Sequence, residues 1–224
     1  MNNKLLSLIL LSSITSTLVQ ATESQIFTVK GKIKPVACKI AVNNNNIELP
    51  AITANAFKAQ ESKIASDIEY NFSVDCQADN AISITFSDGK AGTTFGNDKY
   101  RFGLGHVTGK DNKETPVGNW RIKLAELSAE TSSGTVGNDK LSRIHRDASI
   151  KGNWVGLGKD DYILANHEVS MNQGTVLNAN QHIQTIKKLN GKLIGEIYGA
   201  PRVNLPLSEQ MPITGNIVLS INYL

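Results

Sequence analysis

Cysteine is almost missing from this 224-residue chain, which holds only Cys38 and Cys76. No Cys-x-x-Cys spacing occurs, so neither a redox dithiol nor a paired-ligand metal site has its usual sequence mark. Long apolar runs are missing too: after the first dozen residues nothing approaches the roughly 20 residues a membrane-crossing helix needs. Net charge is only +3, and the basic residues are scattered apart from Lys30, Lys32 and Lys34, so no nucleic-acid partner is expected. Catalytic signatures are lacking as well. There is no Gly-x-Ser-x-Gly elbow, no Walker loop and no Asp/Glu pair that stands out as acid and base. His106, His145, His167 and His182 are far apart in sequence, none at metal-ligand spacing, and read as ordinary surface or turn residues. No enzyme activity, cofactor or metal is expected.

What is present begins at the N-terminus. "MNNKLLSLILLSSITSTLVQA" carries Lys4 as its only charge, an apolar stretch from Leu5 to Leu11, and Val19-Gln20-Ala21 in a small-x-small cleavage pattern. This reads as a secretory signal peptide over residues 1–21. About 200 residues follow, enough for one domain with a real core. In an oxidising compartment an isolated cysteine pair reads as a single disulfide. Two reduced thiols, or half of a metal site, are the alternatives.

Short alternating runs dominate the remainder. "IEYNFSVDC" (68–76) puts Ile68, Tyr70, Phe72, Val74 and Cys76 on one face, and "AISITFSD" (81–88) sets Ile82, Ile84 and Phe86 against Ser83, Thr85 and Ser87. Weaker cases are "DYILANHEVSM" and "KLIGEIYG", and the chain ends on "NIVLSINYL". Gly, Asn, Asp and Pro clusters separate them, as at 43–46, 88–92, 109–114, 132–139 and 178–181. Period-two runs broken by turn residues predict an all-β antiparallel sandwich. "TANAFKAQESKIA" (53–65) is compatible with a short helix or a loop. The Gly-, Asp-, Lys- and Asn-rich middle, about 88–180, reads as long loops decorating a smaller sandwich.

Several motifs carry less than they promise. "FGLGHVTG" (102–109) is a turn between strands and not a phosphate loop, since no helix follows it. Asn71-Phe72-Ser73 fits a glycosylation sequon but sits inside a strand pattern. Trp120 and Trp154, each after Gly-Asn, suit a sugar-stacking surface, although packing is the commoner use.

The segment 26–36 is the puzzle. Phe27, Val29, Ile33 and Pro35 share one face, the lysines the other, and Gly31 leaves a gap in the apolar face. Val29-x-Gly31-x-Ile33, followed by Cys38, then Cys76 after "YNFSVDC" and the penultimate Tyr223 of an alternating terminal run, resembles a subunit of chaperone–usher fimbriae. The branch carried as a domain of unknown function is included in that likeness. It covers both ends and the first third of the exported chain, and matches nothing from about 88 to 180. One departure is Gly215, the tenth residue from the end, where the family often has a glycine about four residues earlier.

The resemblance implies an immunoglobulin-like sandwich, residues 38–224, that lacks its final strand. Residues 22–37 would form an N-terminal donor-strand extension. Its face of Phe27, Val29, Gly31, Ile33 and Pro35 would fill the groove of a neighbouring subunit, with Gly31 where that groove is shallow. Ile217, Leu219, Ile221, Tyr223 and Leu224 would border the groove on the receiving subunit and be gripped by a chaperone. The implied partners are a periplasmic chaperone, an outer-membrane usher and neighbouring subunits, with export to the cell surface and a role in adhesion. A tip subunit binding a host carbohydrate is the alternative.

Overall fold

The structure, a computed structural model, describes residues 37–43, 49, 52–173, 183–208 and 210–224. The signal peptide, the extension with Phe27, Val29, Gly31, Ile33 and Pro35, the 178–181 turn and His182 lie outside the described residues.

One strand organises the rest. β2 runs from Ser62 to Asp88, 27 residues, and so joins "IEYNFSVDC" and "AISITFSD", which the sequence pattern separates, into a single element. Its even-numbered residues from Phe72 to Cys76 and from Ile82 to Phe86 are buried. The polar stretch between them is absorbed as an irregularity: Ile186 pairs with Asn80, yet Lys188 already pairs with Asp75. Such a bulge lets one strand turn from one layer into another while keeping its apolar face inward.

The first part of β2 pairs on one flank with β11 (Thr185–Gly199) and on the other with β1 (Cys38–Asn43). β11 in turn pairs along its length with β6 (Gly118–Thr131). The short β3 (Phe102–Gly103) and β7 (Gly134–Val136) complete that layer on β6. The second part of β2 pairs with β10 (His167–Gln173) and with the terminal β12 (Ile217–Tyr223). β8 (Leu141–Asp147) and β9 (Val155–Leu157) extend beyond β10. A separate hairpin of β4 (His106–Thr108) and β5 (Glu114–Pro116) stands apart. Every pairing is antiparallel, so the all-β prediction holds.

The two layers close on one core. Phe72, Val74, Ile122, Leu124 and Leu189 from the first meet Ile82, Ile84, Phe86, Val169 and Met171 from the second. Gly191 shows how tightly this is packed. A Cβ there would lie 2.2 Å from the Phe72 ring, so the strand must be bare at the point where the ring crosses it.

The middle of the chain corrects the expectation of long loops. β6 and β8 both fall in this stretch and carry core residues Ile122, Leu124 and Leu141, while β10, with Val169 and Met171, takes up the end of the weakly alternating "DYILANHEVSM". β6 hides its strand character because its alternation changes phase: Lys192 pairs with Glu126 but Leu193 with Leu124. Ala125 is the extra residue, so Trp120, Ile122 and Leu124 face inward before it and Leu127 and Ala129 after it. The ambiguous 53–65 segment resolves into a single 3-10 turn at Ala54–Ala56 and the first residues of β2. Gly105, in "FGLGHVTG", takes φ +86° at a turn between short strands.

Candidate functional site

The two layers end on one side at β1 and β12, and on the other at the short β3, β7 and β9. Among the described residues β1 pairs only with β2, and so does β12. Cys38 faces Cys76 directly across the ladder, and the two form the disulfide. This bond staples the edge strand β1 to the core strand beside it.

The hydrogen-bond phase shows which backbone groups turn away from the β2 ladder. Gln77 N–H donates to Ala37 C=O at 3.2 Å, so in the alternating antiparallel pattern the backbone groups of Cys38, Ile40 and Val42 point away from β2. On β12, Leu224 N–H donates to Ala81 C=O at 3.0 Å and Gly89 N–H to Asn216 C=O at 2.8 Å. Ile217, Leu219, Ile221 and Tyr223 therefore turn their backbone groups to the open side. The side chains of Cys38, Ile40, Val42, Ile217, Leu219 and Ile221 are only partly buried, packed against the core from its margin. Two bare ladder edges thus frame a half-covered apolar margin.

Tyr223 and Leu224 depart from the other three β12 residues. They are 53% and 43% exposed. The Tyr223 hydroxyl accepts a hydrogen bond from Cys38 N–H at 2.9 Å, so the end of β12 and the start of β1 meet there. Gly215 lies just before β12, where a Cβ would come within 2.9 Å of the Trp120 ring. Close approach to an aromatic explains that glycine. Ile40 and Val42 were legible as a continuation of the alternation from Cys38, but no motif pointed to them.

A buried network pins β12 from the opposite face. The Asn222 side-chain amide donates to Thr85 Oγ1 at 2.7 Å and to Ser83 Oγ at 3.3 Å. Ser83 in turn donates to Glu168, a fully buried carboxylate that is ion-paired to Arg146 and Lys151. Burial alone would raise the Glu168 pKa. The hydrogen bonds from Ser83, Lys151 and Arg146 outweigh it and hold the group below the usual carboxylate range. A second cluster lies on the outside of β11, where Glu196 accepts hydrogen bonds from Tyr162 and Tyr198 and pairs with Lys63. Burial opposes its charge, yet these partners bring it down to about 2. A carboxylate so firmly ionised is poorly suited to act as a general base near neutral pH.

Two histidines come together that sequence spacing kept apart. β8 and β10 place His145 and His167 with their Nδ1 atoms 3.1 Å apart. One Nδ1–H donates to the other nitrogen, which suits the neutral pair and not the doubly charged one. Burial lowers the pKa of both, and His167 lowers His145 further. Asp161 acts on His145 in the opposite sense, as Asp147 does on His167, while Lys99 adds to the lowering at His167. The unfolded chain then takes up protons near the ordinary histidine value while the folded one resists, so stability is full above about pH 6.5 and falls below it. The denaturant midpoint is expected to drop between about pH 7.5 and about pH 5, and to drop less in His145→Gln. Equal slopes for the two proteins would remove the pair from the account.

The tryptophans are packing residues. Trp120 leans on Tyr70 with ring centroids 5.2 Å apart, and Trp154 is buried beneath Arg146, whose guanidinium lies 4.2 Å from its ring. Among the described residues no group of three or more His, Cys, Asp or Glu side chains is placed to hold a metal ion. The class defined by fold and site is an antiparallel β protein, stapled by one disulfide, in which β1 and β12 are, among the described residues, edge strands over a shared core. No family model matches the chain, and neither the curated proteins nor the solved structures yield a match.

Proposed function

We propose that this chain is a structural subunit of a bacterial surface fimbria, built by donor-strand exchange with the help of a periplasmic chaperone and an outer-membrane usher. The observation that carries the reading is the pair of edges, β1 and β12, that have no outer strand among the described residues, with Ile40, Val42, Ile217, Leu219 and Ile221 half-covered over the core. Unpaired edges beside apolar surface are an aggregation hazard. A strand added from another chain removes that hazard by pairing with backbone and filling apolar positions, a mode for which chaperone–pilin complementation is a standard example.

The occupant in the fibre is the 26–36 segment of the next copy. It is amphipathic with period two, and its lysine face suits solvent. The domain is then an incomplete immunoglobulin-like sandwich, with β12 as its last strand and the donor supplying the one after it. Burial of each large apolar donor side chain contributes roughly 1.5–3 kcal/mol. The tip-subunit alternative draws no support from Trp120 or Trp154, since both are packed.

Purification from the periplasm tests the reading. The chain is expected to emerge bound to a chaperone, or as polymers that resist dissociation. A stable, monodisperse monomer free of any partner would overturn it.

A further inference from the structure

The outer face of the first layer carries a hollow of about 590 Å³, within the range of small-molecule sites. It crosses β1, β2, β11 and β6 on the side away from the core, and it needs nothing from the donor-strand reading. The register shows how it arises. Ala41, Ser73, Asn190 and Ser128 are successive cross-strand partners, a row that carries no side chain longer than the one asparagine. On one side runs Lys39–Asp75–Lys188–Glu130, and on the other Asn43–Asn71–Lys192–Glu126. Long side chains flank short ones, and the sheet is left concave.

The chemistry of the lining is selective. Lys192 is committed to Glu69 at 2.7 Å and Glu126 at 3.7 Å, and Lys188 to Glu130 at 3.8 Å. The amides of Asn43, Asn71 and Asn190 and the hydroxyls of Ser73 and Ser128 all line the hollow. None of them is hydrogen-bonded to another described residue. The free capacity is therefore neutral, with donors and acceptors mixed, and the cations are already neutralised.

An anionic ligand would have to compete with the ion pairs. An apolar peptide would find no exposed apolar side chain to cover. A chain of vicinal hydroxyls, each both donor and acceptor, matches amides and hydroxyls spaced by the strand repeat of about 4.8 Å. We propose that this hollow binds an uncharged oligosaccharide, lying across the strands. Phe72, the aromatic residue in the lining, is buried in the core and offers no face for stacking, so single-site affinity is weak and depends on hydrogen bonds to the amides.

The test uses the protein as purified from cells, in whatever assembly it forms, on multivalently printed neutral glycans. One arm carries host-surface oligosaccharides and the other bacterial envelope polysaccharides, so the source of the ligand is read directly. Retention in either arm is expected, little changed between low and high salt. The double variant Ser73→Val/Asn190→Val keeps strand propensity but removes a hydroxyl and an amide, and it should lose at least tenfold in retention with its thermal unfolding preserved. Should it fail to fold, Ser128→Ala, a smaller change, should still weaken retention several-fold. No retention in either arm, retention undiminished in a folded variant, or retention abolished by salt would each overturn the proposal.

Discussion

Gly31→Leu is expected to abolish subunit-to-subunit polymerisation while leaving the folded domain, and its complex with a chaperone, at normal yield. Under the proposed role the two assemblies use different parts of the chain. In that role the chaperone would occupy the margin framed by β1 and β12 and would not use the donor segment. Polymerisation inserts residues 26–36 into the margin of a neighbour, with Gly31 at the shallow position. An isobutyl group there meets a core already closed by side chains such as Ile84 and Phe86, which are almost fully buried. Overpacking a closed core costs about 1–3 kcal/mol, occasionally more. Because strand insertion is all-or-none along the ladder, the loss should be seen as absent polymer and not merely slower growth. Electron microscopy of cells and polymer ladders on gels read the outcome. Ordinary fibres built from the Gly31→Leu protein would sink the donor-strand role while leaving the fold untouched.

Loss of the disulfide is expected to have the next largest effect. Cys38 and Cys76 are 38 residues apart in sequence, and closing a loop of that length stabilises by about 4 kcal/mol on the chain-entropy relation. A native domain holds only about 5–15 kcal/mol in total. Cys38→Ser should therefore lower the denaturant midpoint substantially and reduce the folded yield. The effect has a local side too. Among the described residues β1 pairs with β2 alone, so without the staple six residues of ladder, the packing of Ile40 and Val42 and the Tyr223 contact are left to hold it. Hydrogen exchange should show Lys39, Ala41 and Asn43, whose amides face β2, losing protection before β11 does. A midpoint equal to that of the native protein would show that the bond adds nothing to stability.

The alternation in "IEYNFSVDC", "AISITFSD" and "NIVLSINYL" was readable without a structure because period two needs no knowledge of partners. Each of these runs is a strand or part of one; Phe72, Val74, Cys76, Ile82, Ile84 and Phe86 are buried in the core, and Tyr70, Ile217, Leu219 and Ile221 pack against it. β6 escaped because one bulged residue, Ala125, reverses the inward face midway, and alternation counted across it cancels. "TANAFKAQESKIA" could not be resolved because a short 3-10 turn has too few residues to show a period. The histidine pair is invisible in the sequence for a different reason. His145 and His167 are 22 residues apart, and only the pairing of β8 with β10 makes them neighbours.

By itself, then, the sequence determined the all-β class, the cysteine pair as the sole source of a staple, and the inward face of the longest runs. These follow from side-chain polarity and the geometry of an extended chain, which are local properties. The tertiary structure alone decided which strands lie at an edge, since having no neighbour is a property of the whole sheet. It also decided that neutral amides and hydroxyls from four strands converge on one outer face, because register couples residues that no sequence distance links.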